Sequence, residues 1–215
     1  MKLFTFFTIN TPYAAEAQRT VESFQRFSVP VIKVPYESTG DFMKNCLYRA
    51  GKLLQLAEQF PKDVIGHVDA DVRCAKPPVL LTEFNGDVAV YYREGLPEHQ
   101  RCWGGLSLFG PTLVGRAVVK RWAEICAEDK YPDANVREQM YWCAAVEYGL
   151  RIPNARIVKL PDEYYRAADK IKKDDGTVLV HYECSRFYIK QIGGRLVNHS
   201  QTRTKWFEGD EDGRR

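Results

Sequence analysis

Val64-Ile65-Gly66-His67-Val68-Asp69-Ala70-Asp71-Val72 is an apolar run that ends in two carboxylates one residue apart. The run predicts a buried strand from Val64 to Val68, and in an extended strand residues i and i+2 point to the same side. Asp69 and Asp71 are therefore expected to present hard oxygen ligands to one divalent cation. Spacing alone does not decide this, because Asp210-Glu211-Asp212 repeats it in a polar, charged stretch that reads as solvated surface. Context separates the two pairs: only the first arrives at the end of an apolar strand.

The neighbouring segments alternate in kind. Lys2 to Ile9 reads as a buried strand, Asn10-Thr11-Pro12-Tyr13 as a polar turn, and the helix after it places Ala14, Ala17, Val21 and Phe24 on one face. Val29 to Val34 is a second strand, closed by Pro35. Asp41 is the expected N-cap of a helix whose apolar positions include Phe42, Cys46, Ala50, Leu53, Leu54 and Ala57, stopped by Pro61. Beyond the acids, Val88 to Tyr92 and Leu106 to Phe109 read as strands separated by a polar loop from Arg93 to Trp103. Helices follow over Leu113 to Glu128 and Val136 to Tyr148, then strands over Arg156 to Leu160 and Thr177 to Tyr182. Strands alternating with helices imply an α/β fold with parallel pairing through right-handed crossovers. Ligands of such sheets sit at the carboxyl ends of the strands, where the two acids stand.

At 215 residues and 45% apolar content, the chain can bury one good core. A single domain over residues 1–200 is expected, with 201–215 as a polar, mobile tail. Met1 to Asn10 lacks a small-residue cleavage site and is read as the first strand, not a signal peptide. No apolar stretch approaches the roughly 20 residues that span a bilayer. The six cysteines form no C-x-x-C pair, so neither a zinc site nor a disulfide framework is indicated, and reduced thiols in a cytoplasmic protein are expected. A net charge of +3 is too small to diagnose nucleic-acid binding.

The order of these features resembles the GT-A type nucleotide-diphosphosugar glycosyltransferases, including the glycogenin-like and small galactosyltransferase groups. The resemblance runs over most of residues 1–190: a buried first strand, a helix carrying basic residues, a hydrophobic strand into D-x-D, a Gly-Gly strand, an acidic-residue-plus-Gln helix start and a late strand ending in His. It implies a Rossmann-like GT-A fold, with a mixed, mostly parallel sheet flanked by helices. Asp69, Asp71 and His181 match the residues that hold Mn²⁺ or Mg²⁺ on the donor diphosphate in that family. A lone His at a strand end would otherwise read as a packed or surface residue.

The resemblance assigns donor contacts to Thr8, Asn10, Arg49, Asp69, Ala70, Gly104, Gly105 and Arg186. Thr8-Ile9-Asn10 matches the place that receives base and ribose, and Trp103-Gly104-Gly105 the strand beneath the sugar, where missing side chains let a ligand approach backbone. Arg49 shares its helix with Lys52, and a solvated helix face is the alternative use of both. Arg186 could clamp phosphate in a bidentate way, although the glycogenin-like branch has Lys-Pro-Trp near the place where this chain has Ser185-Arg186-Phe187. Glu138, in Arg137-Glu138-Gln139, matches the acidic residue beside the acceptor and is the candidate general base. A capping box with Asn135 explains the same residue equally well. His67 lies on the Asp69 side of its strand and could approach the site, but it sits deeper in the strand and reads as a satisfied core histidine.

The function implied is transfer of a sugar from a nucleotide-diphosphate donor, a UDP-sugar by resemblance, to a hydroxyl acceptor. A glycan, a small molecule and a modified DNA base all remain open as acceptor. D-x-D with His serves inverting and retaining outcomes alike. Two rival readings stand beside it. A nucleotidyltransferase would carry a Gly-rich segment after the first strand, where this chain has Thr8-Ile9-Asn10-Thr11-Pro12-Tyr13. A non-catalytic sugar-nucleotide or nucleic-acid binding module would keep the fold without turnover.

Overall fold

The first strand is where the layers are set. In β1 (Lys2–Thr8), Phe4 and Phe6 face one core while Leu3 and Phe7 face the other way, the period of two that a strand buried on both faces requires. The computed structural model describes residues 1–130, 137–171 and 176–182. Within it, β2 (Val31–Tyr36), β1, β3 (Ile65–Val68), β6 (Cys102–Phe109), β5 (Val88–Tyr92) and β7 (Ile157–Leu160) form one sheet in that order. β1, β2 and β3 run parallel, as do β5 and β7, and β6 runs against both of its neighbours. The sheet is mixed and mostly parallel, as the resemblance implies.

Helices cover both faces. α2 (Phe42–Gln59), α4 (Leu113–Glu128) and α5 (Arg137–Leu150) enclose the larger core, with Leu53, Trp122 and Trp142 fully buried. α1 (Tyr13–Gln25) lies on the opposite face with Phe24 buried in the second core. That core also receives a three-stranded sheet, β4 (Val72–Cys74), β9 (Leu179–His181) and β8 (Arg166–Ala167), in that order. A four-residue helix, α3 (Val79–Thr82), completes the set. Residues Met1–Tyr182 form one compact unit; the boundary expected at 200 and the tail 201–215 lie outside the described residues. No described helix is long and apolar enough to cross a membrane.

Several sequence expectations need adjustment. β2 continues through Pro35 to Tyr36, which is possible because β2 is an edge strand and the missing proline N–H removes no bond from a central ladder. β6 starts at Cys102, inside the expected loop, and a register irregularity at Val90/Tyr91 accommodates the longer pairing. Asp41 does cap α2, its carboxylate accepting from the Met43 and Lys44 amides at 2.8 and 3.1 Å. The strands β4 and β8 have no counterpart in the sequence reading.

Candidate active site

Asp69 follows β3 directly, and its amide donates to the Gly105 carbonyl at 2.8 Å, extending the pairing with β6 by one bond. There the strand ends. The Val72 amide returns to the Asp69 carbonyl at 3.2 Å, so Asp69-Ala70-Asp71 is a turn leading into β4 and not the extended segment expected from the sequence. The two acids still converge, because the turn brings them against the end of β9. His181 Nε2 lies 3.1 Å from Asp71 Oδ1 and 3.9 Å from Asp69 Oδ2, and ligand atoms of the three side chains all lie within 4.8 Å of one another. The Trp103 ring packs 4.9 Å from the imidazole of His181, centroid to centroid.

The second oxygen of Asp69 faces the other way. Oδ1 pairs with Arg49 Nη1 and lies 3.0 Å from His67 Nε2, which is itself 2.9 Å from Arg49 Nη1. Arg49 Nη2 pairs with Glu138 Oε1. One guanidinium on α2 thus joins an acid on the β3 turn to an acid on α5, residues 20 and 89 positions away in the chain. Burial works to raise the Asp69 carboxyl, but Arg49, His67 and His181 together hold it well below the usual carboxylate range. Burial prevails at Glu138 and raises its carboxyl despite the pull of Arg49. Burial and the Arg49 charge lower the His67 imidazole to about 4, so it is neutral at neutral pH.

The other expected residues fall as follows. Thr8 is buried at the end of β1, and the Thr11 hydroxyl donates to its carbonyl at 2.7 Å. Asn10 is exposed in the turn beyond, with φ +56°, a left-handed conformation that Asn tolerates. Ala70 is buried in a small cluster with Phe7 and Ala17. A Cβ on Gly104 would stand 3.0 Å from both Arg49 Nη2 and Glu138 Oε1, and one on Gly105 would collide with the Trp103 indole at 1.9 Å. Gly105 therefore needs glycine for packing, whereas at Gly104 a side chain would press on the ends of two long charged side chains. Arg186 lies outside the described residues, as does Asn135, on which the capping reading of Glu138 depended.

His67 combines the two uses its place on the strand allows, a core residue and a neighbour of the acid pair. It is buried, with Nδ1 3.3 Å from Ser107 Oγ, yet its other nitrogen touches both Asp69 and Arg49. The signal was present in the strand alternation that puts residues 67 and 69 on one side. Of the cysteines, those at 46, 74, 102, 126 and 143 are free, and burial pushes Cys46, near Arg49, up to about 12, which keeps it a thiol.

No protein-family model matches the sequence, and no curated protein matches it. Solved structures do resemble it. A glycosyltransferase involved in glycosylation of the major capsid of PBCV-1 shares 14% identity with a TM-score of 0.59, over 84% of this chain and 93% of that one. The galactosyltransferase LgtC, solved with donor and acceptor sugar analogs, shares 10% identity with a TM-score of 0.54, over 95% and 99% of the two chains. The glycosyltransferase GlyE of Streptococcus pneumoniae TIGR4 gives 11% identity and a TM-score of 0.54; this chain spans 84% of its own length but 54% of GlyE. At such identities the likeness establishes the fold, which is the GT-A fold expected from the order of motifs.

Proposed function

We propose that this chain is a metal-dependent glycosyltransferase that moves a sugar from a nucleotide-diphosphate donor to a hydroxyl acceptor. The observation that carries the reading is the convergence of Asp69, Asp71 and His181 at the carboxyl end of a GT-A sheet. Their ligand atoms span about twice a metal–oxygen bond of roughly 2.1 Å, close to what one ion requires. Two carboxylates and an imidazole suit Mn²⁺, and Mg²⁺ would draw mainly on the carboxylates. When bound, the ion would neutralise charge developing on the leaving diphosphate.

The chain's own groups divide the remaining work. Asp69 directs one oxygen toward His181 and gives the other to Arg49, so the guanidinium fixes the direction of the carboxylate. Glu138 is held by the same guanidinium, and burial raises its proton affinity, the direction that makes a carboxylate a stronger base. On this reading Glu138 is the base that accepts the acceptor proton. Thr8, Asn10, Ala70, Gly104, Gly105 and Arg186 are assigned to the donor by resemblance. A UDP-sugar is the donor so implied, and LgtC, named as a galactosyltransferase, supports a hexose as the group moved. The acceptor is a glycan, a small molecule or a modified DNA base.

Nucleotide-sugar hydrolysis without acceptor tests the reading. Wild-type protein with Mn²⁺ should release nucleoside diphosphate from one of a panel of nucleotide-sugars, and Asp71→Asn should abolish release with the fold intact. A protein that binds such a donor but releases nothing would be a binding module, and the enzymatic reading would fall.

A further inference from the structure

The acid turn is gripped through its backbone. The Asp69 amide is tied to β6 and the Asp69 carbonyl to Val72, while the Asp71 carbonyl accepts from the Tyr182 amide at 3.0 Å. Among the described contacts, the middle carbonyl, that of Ala70, is the one held by side chains. Thr20 Oγ1 donates to it at 2.6 Å and Arg73 Nη1 approaches at 3.3 Å.

Those two side chains belong to a buried assembly on α1 and β4. Arg73 Nη1 also donates to Thr20 Oγ1 at 2.8 Å, and Nη2 pairs with Glu16 Oε2. Glu16 and Thr20 are four residues apart on α1 and therefore share a face. Thr20 is fully buried and Glu16 nearly so. The Arg73 guanidinium also lies 5.2 Å over the ring of Tyr182, the residue whose amide anchors the far end of the turn. A buried ion pair is poor value for stability alone, since apolar residues of similar volume often serve as well. Here the pair stands where it fixes one carbonyl between two candidate metal ligands.

We propose that Glu16, Thr20 and Arg73 are positioning residues that set the relative orientation of Asp69 and Asp71 and so govern affinity for a divalent cation. The proposal rests on the metal reading of Asp69, Asp71 and His181. None of the three has a hydrogen bond or ion pair to either carboxylate among the described contacts; they act through the Ala70 carbonyl, which fixes the turn dihedrals. Loss of a group that orients a metal ligand typically weakens binding by about 10- to 100-fold.

The test is Mn²⁺ titrated alone into the full chain, with the free ion followed by electron paramagnetic resonance and the melting temperature measured in parallel. Thr20→Val, which keeps the shape and removes the donor, should raise the Mn²⁺ Kd about tenfold, whereas Thr20→Ser should stay within about twofold. Glu16→Gln, which loosens Arg73, should weaken binding in the same direction, and it carries the test if Thr20→Val does not fold. A Kd unchanged in the folded variants, whatever their melting temperatures, overturns the proposal and leaves the assembly a structural tie. Asp71→Asn runs alongside: if it binds Mn²⁺ as wild type does, it is the metal reading that has failed.

Discussion

Glu138 and His67 show how burial gives opposite tasks to two groups around one guanidinium. Burial raises the proton affinity of Glu138 and lowers that of His67, while Arg49 pulls both downward. Glu138→Gln keeps the shape and a hydrogen-bonding oxygen but cannot take a proton. If Glu138 is the base, transfer should fall by about 10²-fold or more in protein that still folds, with a lower melting temperature from the charge lost beside Arg49; transfer within a few fold of wild type would remove it from that role and favour a retaining outcome. His67 makes a separate demand on stability. Its folded-state pKa is depressed to about 4, so between the ordinary imidazole value near 6.5 and 4 the unfolded chain binds a proton that the folded chain refuses. Stability then rises with pH across that window and is lost as pH falls. In chelator, urea unfolding of the wild type should lose up to roughly 3 kcal/mol from this source, and His67→Gln should lack that part of the slope. Equal slopes in the two proteins would contradict the assignment.

At the scale of elements, β6 and α5 meet around a missing side chain. Gly104 leaves space for the Arg49–Glu138 pair, so Gly104→Ala should push the two charged groups apart at modest cost to the strand. Transfer is expected to drop about tenfold or more while the melting temperature moves by a few degrees; normal transfer would mean that the pair's placement is not critical. Much of this layer was legible in the sequence. Val64–Val68 marks β3 by its branched apolar residues, Asp41 marks the start of α2 by capping chemistry, and the late strand ending in His181 is legible too. β4 and β8 were not, because two or three residues carry no readable period, and Val72–Cys74 is stabilised by antiparallel pairing with β9 from far along the chain. The turn at Asp69–Asp71 was hidden for the same reason. Arg49 was singled out, yet its two acidic partners could not be named: a helix-face arginine looks alike in sequence whether it meets water or, as here, carboxylates from two other elements.

Across the whole molecule, the candidate metal site is a seam between two sheets. Asp69 follows β3 of the six-stranded sheet, and His181 ends β9 of the three-stranded sheet, with β4 leading from one to the other. An ion held by both would link the sheets directly, and its binding energy would appear as stability of the folded chain. Mn²⁺ at 100 times its Kd should add about 2.7 kcal/mol, and Asp71→Asn should remove the gain. The stabilisation should also be local in origin, because among the described residues β9 is three residues long and its backbone pairs with β4 and β8 alone, so an ion on His181 adds a tie at the strand's end. Amide exchange at Val180, His181 and Tyr182 is therefore expected to slow on adding Mn²⁺, while exchange at the centre of β1, buried and paired on both sides, stays as it was. If Mn²⁺ raised the melting temperature without slowing exchange in β9, the ion would be bound elsewhere, and His181 would cease to be a ligand.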